Sequence, residues 1–301
     1  MDPKNFVSPL FANADNHIQA RFLPDSRDWE RIDIYVPKSG KKAQREKFPC
    51  VLLIYGGGWR GKVTFSKENI QTLLDHGYVV AVPDYVLTAQ QPVPMAVWDG
   101  AAAVRFLRTN AGKYSIDPER IGAMGLSAGG WLLQYLCVAD SRTLVSIATK
   151  GQPSSPVPVL EPHPAHESFS AELSAFVVDW GANQLATLKA GNLTPDDPPM
   201  FTVHHDKDGR WPPGARAYAD AGAKAEVAFV EVSDTHAVVG VHTKVPTPSR
   251  DESGKELPLG QRTLEFLDRY VKNPSITAAP EILPHGGPIA GPAPAVLFHD
   301  R

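Results

Sequence analysis

Two cysteines in 301 residues, Cys50 and Cys137, are too few to staple a fold. Cys50 precedes an apolar run and Cys137 falls in an expected helix, so they read as buried free thiols and not as a bridge. An excess of one charge is missing too: 30 Lys and Arg stand against 33 Asp and Glu, a net charge of −3. No overall field therefore draws the chain to nucleic acid or to an anionic membrane. Apolar runs such as Val51–Tyr55 and Tyr78–Val82 stop far short of the ~20 residues that span a bilayer. Met1-Asp2-Pro3-Lys4 opens no basic-then-apolar signal pattern. That fits a cytoplasmic chain if it is complete, and a secreted or periplasmic one if a leader has been removed. Internal repeats are absent, and nothing in the composition sets an oligomeric state.

What is present is enough apolar material for a sizeable core, with 43% hydrophobic residues. Proline is abundant and gathers at 153–164, 195–213 and 274–301. The last stretch lacks periodicity and reads as a tail. Between residues 31 and 273 short runs rich in Val and Ile alternate with amphipathic stretches. Expected strands are Ile32–Val36, Val51–Tyr55, Val79–Pro83, Arg120–Leu126, Ala175–Asp179, Met200–His204 and Val227–Val232. Expected helices are Glu68–His76, Met95–Asn110, Ala128–Val138, Gly214–Gly222 and Leu259–Val271. Such alternation implies a mostly parallel sheet flanked by helices, with reactive loops at the carboxyl ends of its strands. Residues 140–173 and 241–257 read as long excursions from this core.

The sharpest motif is Gly125-Leu126-Ser127-Ala128-Gly129, after the apolar run Ile121–Met124 and before a helix. A serine on a tight strand-to-helix turn holds its hydroxyl above the sheet, and only small neighbours fit around it. The next amide, that of Ala128, points into the same space. A glycine-rich turn without chemistry needs no such context, and here the context is met. Tyr55-Gly56-Gly57-Gly58-Trp59 follows the strand Val51–Ile54, and its glycines let main-chain amides approach a substrate oxygen. Phosphate binding is the weaker reading, since no Lys-Ser/Thr follows and G-x-G-x-x-G spacing is absent.

Serine needs a base to take its proton, and histidine is the suitable one. Of ten histidines, His236 stands just after the last core strand, with His242 as its rival. The chain order Ser, then acid, then His places the acid after Met200–His204. There Asp206 and Asp208 both qualify; Asp208, further into the loop, is preferred, with Asp179 third. His204-His205-Asp206 and His163-x-x-His166 suggest metal ligands, but adjacent strand residues face opposite ways and no H-E-x-x-H or C-x-x-C motif accompanies them. No metal or other cofactor is expected.

These segments together resemble the α/β-hydrolase fold, and within it the hormone-sensitive-lipase-like and feruloyl-esterase-like (BD-FAE-type) serine esterases, over roughly residues 28–273. Tyr55-Gly56-Gly57-Gly58-Trp59 resembles the family's His-Gly-Gly-Gly-Trp, and Asp84-Tyr85-Val86-Leu87 its Asp-Tyr-Arg-Leu. Asp117-Pro118-Glu119-Arg120-Ile121 leads into a segment close to its Gly-x-Ser-Ala-Gly-Gly, while Pro198-Pro199-Met200 with Asp208 resembles the acid segment and His236 the base segment. The resemblance implies Ser127 as nucleophile, His236 as base and Asp208 as orienting acid. It also implies an oxyanion hole from the amides of Gly57, Gly58 and Ala128. Tyr55 departs from the family's histidine, which braces the glycine loop by hydrogen bonding; a phenol either braces it differently or lines the pocket, with Trp59 and Trp211 as further pocket candidates. His205, Gly209 and Thr235 are further departures, in the acid and base segments.

The expected architecture is a single α/β-hydrolase domain over 1–273, with an N-terminal extension 1–27 and a variable loop 140–173, followed by the tail 274–301. The short stretch Gly181 to Pro199 leaves room for a small lid or none. The expected activity is hydrolysis of carboxylic esters through an acyl-enzyme, on a small-molecule or carbohydrate-linked substrate. Open grooves and tryptophans such as Trp59, Trp131, Trp180 and Trp211 direct attention to acetyl or feruloyl esters of carbohydrate. Two rivals share the fold: an amidase or peptidase with the same triad, and a binding protein without turnover.

Overall fold

The seven expected strands all form in the computed structural model, which describes residues 6–7, 14–23, 30–38, 47–87, 93–138, 169–179, 193–204, 211–230 and 247–274. In chain order the strands are β1 (Phe6–Val7), β2 (Ala14–Arg21), β3 (Arg31–Pro37), β4 (Phe48–Ile54), β5 (Val79–Pro83) and β6 (Ile116–Leu126), followed by β7 (Phe176–Asp179), β8 (Met200–His204), β9 (Ala225–Phe229), β10 (Pro248–Arg250) and β11 (Glu256–Pro258). They make one sheet in the order β1-β2-β3-β5-β4-β6-β7-β8-β9-β10-β11. From β5 through β9 every pairing is parallel, and outside that block every pairing is antiparallel.

Three features correct the reading of the chain. β3, expected as one of the parallel strands, runs antiparallel to both neighbours. The N-terminal extension supplies β2, which pairs with β3 along its whole length. The excursion at 241–257 carries the hairpin β10–β11, which extends the sheet beyond β9. β2, β10 and β11 are short or polar, so a search for continuous apolar runs passes over them, whereas β3 is among the expected strands and only its direction differs.

Helices cover both faces of the sheet. α1 (Lys67–Asp75) is capped by Ser66, whose hydroxyl accepts from the Asn69 amide. The other helices among the described residues are α2 (Val93–Thr109), α3 (Ala128–Val138), α4 (Pro213–Asp220) and α5 (Leu259–Leu267), with a π-helical turn over Asp268–Lys272. β4 shows how two cores arise from one strand. Cys50, Leu52 and Ile54 enter the cluster containing Val104, Leu107, Leu132 and Tyr218, while Val51 and Leu53 enter the one containing Leu73, Leu264 and Phe266. Each fully buried aliphatic side chain contributes about 1.5–3 kcal/mol, so a strand buried on both faces is an anchor for whatever follows it. The glycine loop follows it directly.

Both cysteines are free; Cys50 is buried and Cys137 half-buried. Among the described residues no helix is long and apolar enough to cross a membrane.

Candidate active site

β6 ends at Leu126, α3 begins at Ala128, and Ser127 alone makes the turn between them. Its φ of +50° lies in a region that side chains other than glycine rarely occupy. Two main-chain bonds hold it there. The Ser127 amide donates to the Asp179 carbonyl at the end of β7 (2.7 Å), and the Trp131 amide donates to the Ser127 carbonyl (3.0 Å).

The space around the turn admits no side-chain carbon. A Cβ on Gly125 would lie 2.5 Å from the Gly129 carbonyl oxygen, and one on Gly129 would lie 2.2 Å from that of Ile54. On Gly56 it would lie 2.6 Å from the Leu126 oxygen and 3.2 Å from the Ser127 Cβ. These three glycines let the ends of β4 and β6 meet, which sets the glycine loop against the serine. Leu126 and Ala128 are buried while Ser127 between them is half-exposed. Its hydroxyl has no hydrogen-bond partner among the described residues.

The loop itself turns on left-handed backbone: φ is +114° at Gly57, +59° at Gly58 and +66° at Trp59. Glycine takes the first two without steric cost, whereas Trp59 carries strain. The loop closes on itself, since Gly56 and Val63 exchange amide-to-carbonyl bonds of 3.0 and 3.1 Å. The Gly57 carbonyl accepts from the amides of Arg60 and Gly61. The amides of Gly57 and Gly58 donate to no group among the described residues. Ala128 sits in the first turn of α3, where no carbonyl of the helix reaches its N–H. Unused donors beside a serine hydroxyl are what stabilisation of an oxyanion requires.

Of the two roles open to Tyr55, the contacts supply bracing. Its ring is 1% exposed and stacks on Tyr85, centroids 4.1 Å apart. Its hydroxyl donates to the Tyr85 carbonyl (2.6 Å) and accepts from the Tyr85 amide (3.2 Å). The Tyr85 hydroxyl in turn donates to the Tyr55 carbonyl (3.1 Å). Burial pushes both phenols well above their ordinary pKa. On either side, Asp84 pairs with Lys62 at 2.6 Å and the Val86 amide donates to Asp99 Oδ2 at 2.8 Å. Reasoning from sequence missed Lys62, Asp99 and the role of Tyr85. The segment Asp84–Leu87 carried the signal for Tyr85; nothing marked the other two.

Trp59 is half-buried, its ring edge-on to Tyr85 and to Trp131 at 5.8 and 5.2 Å. Trp211 is engaged elsewhere: its indole N–H donates to Glu252 at 3.2 Å, and the Arg216 guanidinium lies 4.8 Å over its ring. Asp179 is buried at the end of β7, beside the serine turn. The structure thus brings together Ser127, Gly57, Gly58 and Ala128. Asp206 and Asp208, His236 and His242, and Trp180 lie outside the described residues. Among the described residues no three His, Cys, Asp or Glu side chains converge as metal ligands would.

This arrangement has counterparts. A family model described as BD-FAE matches residues 32–156, less than half of the chain but inclusive of the glycine loop, the Asp84–Leu87 segment and the serine turn. A truncated carbohydrate esterase from gut microbiota superposes with a TM-score of 0.56 at 23% identity, over 71% of this chain and 86% of that one. MGS-M1, an α/β hydrolase from a Medee basin deep-sea metagenome library, gives 0.56 at 17% identity, over 86% and 99%. The chain has the α/β-hydrolase fold.

In sequence, the chain is 34% identical over 117 residues to the carboxylesterase NlhH of Mycobacterium tuberculosis, a match covering 36% of the chain. The matched segment spans 37% of that relative's length. The fold accounts for why the carboxyl ends of β4, β6 and β7 meet: parallel strands deliver those ends to one edge of the sheet.

Proposed function

We propose that this α/β-hydrolase cleaves carboxylic esters through an acyl-enzyme, with Ser127 as nucleophile, His236 as general base and Asp208 as the orienting acid. One observation carries the proposal: a half-exposed serine without a hydrogen-bond partner among the described residues, on a strained turn, beside a glycine loop whose amides are unspent. Ser127 Oγ attacks the acyl carbon as its proton passes to His236, and the carbonyl oxygen gains negative charge. The amides of Gly57, Gly58 and Ala128 receive that charge. Collapse expels the alcohol, which takes the proton from His236. Water, deprotonated by the same imidazole, then releases the acid and restores Ser127.

Esters are favoured over amides by the company the chain keeps, a carboxylesterase in sequence and esterases in fold. For the alcohol side the proposal is carbohydrate carrying acetyl or feruloyl groups. Its support is the BD-FAE match and the carbohydrate esterase among the structural neighbours. The test pairs turnover with labelling. The wild-type chain should hydrolyse p-nitrophenyl acetate and take up a fluorophosphonate at Ser127. A panel from acetyl to long acyl, with feruloyl and acetylated sugars, then ranks substrates. Absence of both turnover and labelling would leave a binding protein.

A further inference from the structure

We propose that Tyr55 and Tyr85 form a reciprocal clamp, a positioning pair that fixes the peptide plane entering the glycine loop. The inference rests on reading that loop as the oxyanion loop. It starts from one peptide group, that between Tyr55 and Gly56. Its oxygen accepts from the Tyr85 hydroxyl at 3.1 Å, and its N–H donates to the Val63 carbonyl at 3.0 Å. A plane held at both ends cannot rotate, and the φ values of the next three residues build outward from it. Tyr85 is itself held at both of its main-chain groups by the Tyr55 hydroxyl, which donates to one and accepts from the other. Each phenol therefore fixes the backbone of the other residue. Loss of either hydroxyl leaves a buried partner unpaired.

The clamp depends on the double role of the Tyr55 oxygen, which both donates and accepts. A neutral imidazole donates from one nitrogen and accepts at the other, so no single imidazole atom could make both bonds to the Tyr85 main chain. Tyr55 stays neutral, because burial and the surrounding groups push its pKa up. Those groups are Tyr85, Asp84 and Asp99; the Lys62 ammonium also faces the ring, 5.4 Å from its centroid. Asp84 is paired with Lys62, and Asp99 accepts from the Val86 amide.

Hydrogen exchange of the full chain over residues 56–63, combined with p-nitrophenyl acetate kinetics, tests the clamp. In Tyr55→Phe and Tyr85→Phe the amides of Gly56, Arg60, Gly61 and Val63 should exchange at least ~10-fold faster than in wild type. The kcat should fall about 10-fold with KM within about 2-fold, since a misplaced donor weakens the transition state and spares substrate binding. Tyr55→His, whose imidazole cannot replace both bonds, should exchange as fast as Tyr55→Phe. Unchanged exchange in both phenylalanine variants overturns the clamp. Faster exchange with unchanged kcat overturns the positioning role. Faster exchange in a chain whose wild type neither turns over ester nor labels at Ser127 upholds the clamp and removes the esterase reading instead.

Discussion

The serine turn and the tip of the glycine loop at Gly58 are shaped by opposite means, whereas Gly57, just before the tip, is excluded like the turn, a Cβ there lying 2.4 Å from the Gly61 oxygen. At the turn, backbone packs on backbone: Gly56, Gly125 and Gly129 stand where a Cβ would meet a carbonyl at 2.2 to 2.6 Å. At the loop tip, Gly58 has nothing within 4 Å of a built Cβ, and the geometry is kept by hydrogen bonds reaching in from Tyr85 and Val63. Exclusion makes a turn rigid because every alternative collides. Hydrogen bonding makes a loop definite while leaving its amides open. A nucleophile that must stay put, and donors that must stay available, call for these two solutions.

The largest effect separates the chemistry of the turn from its shape. Ser127→Ala should lower ester turnover by at least ~10³-fold, and Ser127→Gly should do the same. The two should differ in stability. Glycine relieves the φ of +50°, so Ser127→Gly should be more stable than Ser127→Ala by roughly 1 kcal/mol in urea unfolding. Activity surviving in either variant removes Ser127 as nucleophile. Equal stability would mean that the turn carries no strain.

The next two substitutions set the regions directly against each other. In Gly129→Ala the new carbon would face the carbonyl oxygens of Ile54 and Tyr55 at 2.2 and 2.5 Å. Both belong to main chain at the end of a strand buried on both faces, so relief requires separating β4 from α3. We expect a loss of about 3 kcal/mol or more in urea unfolding, above the ordinary cost of overpacking. Gly58→Ala meets no neighbour and only has to take up a φ of +59°, which costs about 1 kcal/mol. Its damage should appear in kcat, about 10-fold, because the amide is re-aimed. Should Gly58→Ala destabilise as much as Gly129→Ala, the contrast between exclusion and hydrogen bonding fails.

The sequence shows the excluded region far better than the hydrogen-bonded one. Close backbone approach leaves a mark, since it forces glycines at 125 and 129 around Ser127, and strands buried on both faces leave unbroken apolar runs. The core from β3 to β9 was legible for that reason. β2 was legible in principle: Ile18, Ala20 and Phe22 point inward while Gln19 and Arg21 are exposed, but the polar residues before them obscure the alternation. The hairpin β10–β11 has only three residues per strand, too few for a period to show. The Tyr55–Tyr85 contact joins positions 30 residues apart, and no local pattern records such a bond. The acid and base assignments rest on chain order, which ranks candidates without measuring any distance between them.

The smallest expected effect probes the outermost tie of the glycine loop. Lys62 pairs with Asp84 at 2.6 Å, but the two side chains are 42% and 30% exposed. Water and salt screen such a pair, so its contribution lies below about 1 kcal/mol. Lys62→Met keeps much of the aliphatic stem while removing the charge that lies over the Tyr55 ring. We expect a loss of a few tenths of a kcal/mol in 0.1 M salt, fading at 1 M, where the Debye length falls to roughly 3 Å. A loss above about 2 kcal/mol, or one indifferent to salt, would place the hold on this loop in the ion pair at its rim and not in the buried hydroxyls beneath it.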